Sequence, residues 1–304
     1  TLPLADKITP NQMMTVWNPV TENLISDHRL ADKPILPAAF MIESIIEAGM
    51  IFADKFSGSG IIETKNPVLL RNFDIVEGLR FFTETPLAMR TEVGNFSNEK
   101  NQIKISCRLL STFANSKGVV LNPNRFHAGA DVLIYSDYES IPAELRNALT
   151  DLLTKSATTS KNKFTRNTIQ YVPRGSKMYH GQTLQELQWI AINDSEIIGE
   201  SLTQPIAKIT GNRATKNWIT HPASIDSCLY LCGAATWNIT GGVGLPKSMN
   251  EILLLRKPND GEKTNIYVIK TEQNNNVIKY DFIQIGENNN PICFCRGYNC
   301  RLLM

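Results

Sequence analysis

The chain has 304 residues, and its 31 Lys and Arg against 29 Asp and Glu leave a formal net charge of +2, which supplies no electrostatic reason to bind nucleic acid or an anionic membrane surface. The hydrophobic residues, 42% of the total, are dispersed, and none of their runs approaches the ~18 residues that read as a bilayer span. A globular cytoplasmic protein is expected, long enough for two domains or one doubled domain.

The six cysteines are too sparse for a disulfide framework and read as reduced thiols. The first residues, TLPLADKITPNQMM, lack the basic-then-apolar order of a secretory signal. The first informative stretch runs from Ser26 to Gly49, SDHRLADKPILPAAFMIESIIEAG, where an Asp27-His28-Arg29 triplet stands just ahead of Pro37. From Pro37 to about Phe56 apolar residues recur at helical spacing, with only Glu43 and Glu47 offering charge in the middle. Such a helix belongs inside the fold.

Strand-like segments follow: NPVLLRNFDIV, PLAMRTEVGNF, NQIKISCRLLSTFA and RFHAGADVLIYSD. In the third, Ile103, Ile105, Cys107 and Leu109 share one face and Lys104, Ser106 and Arg108 the other, the period of a half-buried antiparallel strand. PAELRNALTDLLTKS then reads as a surface helix and SATTSKNKFTRNT as a polar connector. Beyond it the order returns. Strands HGQTLQELQWIAI and EIIGESL precede a second apolar helix, HPASIDSCLYLCGAATW, and MNEILLLRK, NIYVIKTE, VIKYDFIQI and PICFCRGYNCRLL follow it, while TGGVGLP reads as a loop.

The two helices open alike, PAAFMIE from Pro37 and PASIDSC from Pro222. The chain therefore reads as doubled: residues 1–137 form one unit carrying His28, 138–168 a linker with a surface helix, and 169–304 a second unit carrying Asp226. Taken singly, Asp27-His28-Arg29 is a surface or capping cluster and Asp226 a first-turn acid. Taken together on matching helices, His28 and Asp226 are placed to meet across the interface of the two units. His127 reads as a structural strand histidine and His221 as a residue ordering the start of the second helix. Cys293, Cys295 and Cys300 lack a fourth ligand at zinc spacing, so no metal site is expected.

These residues resemble the dehydratase domains of modular polyketide synthases. The family signature His-x3-Gly-x4-Pro is matched by His28 and Pro37, with Asp32 at the glycine position. His-Pro-x3-Asp-x3-Gln/His is matched by His221, Pro222 and Asp226, with Tyr230 at the last position. RFHAGADVLI is similar to the His-Ala-x-Gly strand, YHGQTLQEL to the Tyr-Gly-Pro-x-Phe stretch with His180 for Tyr and Gln182 for Pro, and GLPKSMNEILLLRKP to the segment after the second helix.

The resemblance implies an α+β double hotdog, two curved antiparallel sheets each wrapped around a central apolar helix. It implies a hydro-lyase that removes water from a β-hydroxyacyl thioester carried on the phosphopantetheine arm of an acyl carrier protein, with no intrinsic cofactor. His28 is then the general base and Asp226 the general acid, with Leu36, Pro37, Tyr179, His180, Gly181 and Tyr230 lining the tunnel. The implied partners are the carrier protein and the other domains of a homodimeric synthase. Two alternatives stay open on the departures at Asp32, Gln182 and Tyr230. One is a double-bond isomerase or a cyclase adding a hydroxyl to an enoyl thioester; the other is a catalytically silent docking or structural domain.

Overall fold

The chain runs twice through the same sequence of elements. The computed structural model describes residues 4–303 apart from 59–64, 115–116, 118, 160–165, 170, 173, 194 and 214–216. It begins with β1 (Lys7–Ile8), β2 (Gln12–Trp17), the single turn α1 (Asn23–Ser26), the short β3 (His28–Leu30) and β4 (Lys33–Pro34), and the long helix α2 (Ala38–Ser57). Then come β5 (Val68–Ile75), β6 (Leu87–Glu99), β7 (Gln102–Ala114), β8 (Val120–Tyr135) and helix α3 (Ala143–Thr159). The remainder comprises β9 (Asn167–Thr168), β10 (Met178–His180), β11 (Leu187–Asn193), β12 (Glu196–Leu202), the short α4 (Ile206–Thr210) and the long α5 (Pro222–Thr240). It ends with β13 (Val243–Leu254), β14 (Lys263–Gln273), β15 (Val277–Ile285) and β16 (Pro291–Leu303).

Thirteen strands make one antiparallel sheet in the order β1-β2-β6-β7-β8-β5-β13-β16-β15-β14-β12-β11-β9. Read outward from the β5–β13 seam, β8 corresponds to β16, β7 to β15, β6 to β14, β2 to β12 and β1 to β11. Each side is thus two strands, a long helix and four strands, with β9 added at the outer edge of the second. A separate three-stranded sheet, β10-β3-β4, joins a strand from the second run to a hairpin from the first.

The helices α2 and α5 form because apolar residues occupy nearly every face, so both are stable only when surrounded. The α2 helix packs on β6, β7 and β8, α5 on the second run of strands, and the two helices touch. Each ends at a glycine in the left-handed region, Gly58 at φ 64 and Gly241 at φ 69, where a side chain would be strained. Even the two glutamates in the middle of α2 are inside. Glu43 accepts hydrogen bonds from the Ile219 and Thr220 amides and the Thr220 hydroxyl, and Glu47 accepts one from the Leu4 amide, so α2 ties down the segment that leads into α5.

Two sequence expectations change. Val243 to Pro246, within the stretch read as a loop, already pair with Leu303 to Cys300, so β13 begins almost as soon as α5 ends. The helix read as a surface element, α3, does bury one stripe: Leu145, Leu149 and Leu152 pack with Leu69, Leu133, Leu253, Ile283 and Phe294 from both sides of the seam. This second core lies apart from the one that holds α2 and α5. Residues 160–165 of the expected connector lie outside the described residues.

Candidate active site

The spacing between His28 and Pro37 is the length of a hairpin. β3 carries His28, the chain turns at Ala31 and Asp32, and β4 returns it. Both turn residues have positive φ, 47 and 58, the backbone of a tight two-residue hairpin turn. Asp tolerates that region better than most residues, which is how the chain turns there without the family glycine. The return brings Ile35 beside His28: the Ile35 amide donates to the His28 carbonyl at 3.0 Å, and His28 Nδ1–H donates to the Ile35 carbonyl at 2.8 Å. A carbonyl only accepts, so this bond puts the proton on Nδ1 and leaves the lone pair on Nε2.

The neighbours of His28 point elsewhere. Asp27 accepts from the Thr183 amide and hydroxyl at 3.0 and 2.8 Å, and the Asp27 carbonyl accepts from the Gly181 amide at 2.7 Å. Arg29 donates to the Ser26 and Asp32 carbonyls. The triplet is therefore not a surface cluster: Asp27 docks the hairpin beside β10, Arg29 braces the hairpin itself, and the centre is buried.

That docking sets His180 directly opposite His28 in the β10–β3 register. Their rings meet edge-on with centroids 4.9 Å apart, His180 meets Tyr230 edge-on at 4.6 Å, and Tyr230 packs on Tyr171 at 5.0 Å. Asp226, one turn inside α5, faces the same point. His180 Nε2 lies 3.5 Å from Asp226 Oδ2, and one ring nitrogen of each histidine and a carboxylate oxygen of Asp226 all lie within 4.8 Å of one another. His221 holds the helix start: its Nε2–H donates to the Gln204 carbonyl and its Nδ1 accepts from the Ser224 amide as the N-cap.

Burial governs the charges here. It pushes the His28 imidazolium down to about 4, against the weaker pull of the Ile35 hydrogen bond. His180 is pushed well below the usual range by burial and then by the neighbouring His28. Burial also pushes Asp226 up to about 7. The 3.5 Å contact therefore joins an unprotonated imidazole to a carboxyl that stays largely protonated up to near-neutral pH, not a fixed ion pair. Among the described residues Asp226 Oδ2 and His180 Nδ1 have no hydrogen-bond partner.

These groups open onto a cavity of about 990 Å³ lined by residues from both runs of the fold. Leu36, Ala38 and Met41 contribute one wall and Ile190, Leu229 and Tyr230 another, while Phe82 and Trp237, both more than half exposed, mark the mouth. A mostly apolar cleft with a few converging polar groups is the usual form of a small-molecule site.

Of the residues expected to line it, Leu36, His180 and Tyr230 do. Pro37, Tyr179 and Gly181 do not. Pro37 is the N-cap of α2; Tyr179 pairs with Arg29 and alternates away from the face that carries His180; and Gly181 packs against Asp27, where an added Cβ would come within 2.2 Å of the Asp27 carboxyl carbon. The close polar contact to Asp226 comes from His180 rather than from Tyr230 at the family's Gln/His position. His127 is structural, bonded to Ser111 and the Glu77 carbonyl.

Sequence reasoning missed Tyr171, whose hydroxyl accepts from the Leu187 amide behind Tyr230, and Glu186, fully buried near Asp226 and pushed up to about 8 by burial. Glu186 sits in the same YHGQTLQEL stretch as His180, and an acid flanked by Leu184 and Leu187 was the available signal.

Residues 165–303 match the model of the polyketide synthase dehydratase N-terminal domain. Over that span, a little under half of the chain, the sequence is similar to the polyketide synthase dehydratase family, and the likeness of the rest is one of fold. A trans-AT polyketide synthase dehydratase domain from Brevibacillus brevis superposes with a TM-score of 0.71 at 13% identity, covering 99% of this chain and 96% of that one. The PpsC dehydratase domain of Mycobacterium tuberculosis gives 0.67 at 15% identity over 100% and 99% of the two chains. The dehydratase domain from the CurF module of curacin polyketide synthase gives 0.66 at 14% over 99% of each. Comparison with curated protein sequences finds no match.

The fold is therefore the α+β double hotdog of the polyketide synthase dehydratase domains, with the β5–β13 seam as the join between its two halves. No helix among the described residues is long and apolar enough to cross a membrane.

Proposed function

We propose that this dehydratase domain removes water from a β-hydroxyacyl thioester delivered on the phosphopantetheine arm of an acyl carrier protein, with His28 as base and Asp226 as acid. His28 Nε2 takes the α proton, electrons move to form the α,β double bond, and the β-hydroxyl leaves as water after taking the Asp226 proton. That turn leaves an imidazolium and a carboxylate, and passage of one proton from His28 back to Asp226 resets the pair. The amide of Ala38, at the start of α2 in the cavity wall, is available to the thioester oxygen as charge builds on it.

The observation that carries this reading is the pairing of a lone pair on His28 Nε2 with a largely protonated Asp226 at one end of an apolar cavity. Base and acid need opposite protonation states at one pH, and burial moves both groups toward their neutral forms. Relatives of the same fold support it. CurK dehydratase forms with one histidine changed to phenylalanine, or one aspartate to asparagine, are described as inactive mutants, and PpsC dehydratase has been solved in complex with C12:1-CoA, a thioester. The carrier protein, neighbouring synthase domains, a homodimeric parent and a cytoplasmic location belong to the same proposal.

One observation favours a second reading. His180 places another neutral imidazole beside His28, which suits carrying a proton between the α and γ carbons, as in shifting a double bond. The test is incubation with a β-hydroxyacyl pantetheine thioester, beside His28→Ala and Asp226→Asn, followed by mass spectrometry and chromatography. Loss of one water from the wild type alone supports dehydration. Unchanged mass with an enoyl substrate isomerised supports the second reading, and binding without any conversion leaves a silent domain.

A further inference from the structure

We propose that His28, His180 and Asp226 also form a binding site for a divalent cation of the Zn²⁺ class, and that the ion and the acyl substrate exclude one another. The chain has four histidines. His127 spends both ring nitrogens, on the Ser111 hydroxyl and the Glu77 carbonyl, and His221 spends both, on the Ser224 amide and the Gln204 carbonyl. His28 spends only Nδ1, on the Ile35 carbonyl, which leaves the Nε2 lone pair free in a ring that meets His180 edge-on and clusters with Asp226. A ligand histidine in a metal site is oriented in this way, with its second N–H donated to a carbonyl behind it.

The other two ligands are buried, Asp226 4% exposed and His180 5%, and among the described residues Asp226 Oδ2 makes no hydrogen bond. A buried carboxyl oxygen without a partner is unfavourable, and a cation would supply the partner. In a tetrahedral site with ligands about 2.1 Å from the metal, neighbouring donors are about 3.4 Å apart. His180 Nε2 and Asp226 Oδ2 already stand at 3.5 Å, and no pair in the set exceeds 4.8 Å. Closing the widest pair takes about 1.4 Å, within reach of side-chain rotation.

Two imidazoles and a carboxylate suit Zn²⁺, Co²⁺ or Fe²⁺ and disfavour Mg²⁺ and Ca²⁺, which take oxygen ligands. The cavity leaves the fourth position open. Metal binding stands independently of the dehydration reading. The exclusion rests on it, because an ion on His28 Nε2 occupies the lone pair that would take the α proton.

The test uses the whole chain, freed of metal with a chelator and titrated with Co²⁺ while d–d absorption is followed, with Zn²⁺ then added as competitor. The expected result is one Co²⁺ per chain with no thiolate charge-transfer band, displaced by Zn²⁺ and not by Mg²⁺. Affinity should fall at least about 100-fold in His180→Phe and, as a second variant, in Asp226→Asn. In parallel, Zn²⁺ should suppress dehydration in the wild type and a chelator should restore it. Absence of saturable Co²⁺ binding, or binding unchanged in both variants, overturns the site. Saturable binding lost in the variants supports it even where no dehydration is ever detected, which would instead count against the proposed function. Turnover insensitive to bound Zn²⁺ overturns the exclusion alone.

Discussion

The two halves deliver their chemical groups by different means. The first presents His28 from a hairpin that precedes its helix, and the second presents Asp226 from within its helix, one turn past the N-cap. His28 is held by a 2.8 Å hydrogen bond to the Ile35 carbonyl, whereas Asp226 Oδ2 has no hydrogen-bond partner among the described residues. On the proposed roles of base and acid, the contrast follows from what each group has to be. A base needs one tautomer, and only a fixed partner on the other nitrogen selects it. An acid has to keep its proton, and hydrogen bonds to its carboxylate would stabilise the anion and strip it away. One half therefore supplies a partner and the other withholds it.

The comparison is broken most severely by removing either group. His28→Ala and Asp226→Asn are each expected to lower kcat by about 10²–10⁴, read by conversion of a β-hydroxyacyl pantetheine thioester. The pH dependence follows with its sign. The base has to be unprotonated, so activity rises through about 4, and the acid has to be protonated, so activity falls above about 7. A kcat/KM profile that climbs through neutrality instead would reverse the assignment of acid and base.

Withholding a partner has a thermodynamic consequence. Asp226 titrates near its ordinary 3.8 when unfolded and near 7 when buried, so the wild type loses stability as pH rises between those values and the full loss is present above both. Asp226→Asn carries no such charge. It should be inactive yet more stable than the wild type at pH 8, by roughly 2–4 kcal/mol, with the gain gone by pH 4. Denaturant melts at the two pH values check it; equal stability at both would mean that water or a counter-charge already solvates the carboxylate.

The way the halves meet is tested at Gly181. A Cβ there would come within 2.2 Å of the Asp27 carboxyl carbon, and that carboxylate is pinned by the Thr183 amide and hydroxyl. Gly181→Ala should therefore push β10 off β3, parting His180 from His28, and a misplacement of about 1 Å lowers turnover by on the order of 100-fold. Asp27→Ala in the same chain should recover part of the loss. A Gly181→Ala enzyme with wild-type kcat would show that the register of this small sheet does not position the site.

Much of this arrangement was legible in the sequence. The central helices were readable because they are apolar on nearly every face, and β7 because its alternation is unbroken over Ile103 to Leu109. The joint His28 and Asp226 motifs were readable because each stands at a fixed distance from a proline that opens a helix. The β10-β3-β4 sheet was not, since strands of two or three residues carry no period. Glu43 and Glu47 read as the polar positions of α2 but are fully buried, because their partners, Ile219, Thr220 and Leu4, are distant in sequence. Pro37, Tyr179 and Gly181 were expected in the tunnel lining because they belong to the stretches that resemble the family's motifs, and adjacency in a strand or at a helix cap points side chains to different sides.

The smallest effect concerns the hairpin that carries His28, where Asp32 occupies the position of a family glycine. Its φ of 58 is one that Asp adopts at modest cost, and its carboxylate, largely exposed, lies 3.9 Å from Arg29 and 3.7 Å from Arg174. Exposed ion pairs of this length contribute little, so Asp32→Gly exchanges a small steric relief for a small electrostatic loss and a more flexible unfolded chain. It should change stability by no more than about 0.5 kcal/mol and leave kcat unaltered. Ala31, at φ 47, has neither a short polar side chain nor a glycine's freedom, and Ala31→Gly should stabilise the fold by about 1 kcal/mol, visible as a raised Tm. If Asp32→Gly instead changed the product, the turn would be shaping the chemistry. If it does not, the departure at this position is a different way of closing the same hairpin around the Ile35 carbonyl that holds His28.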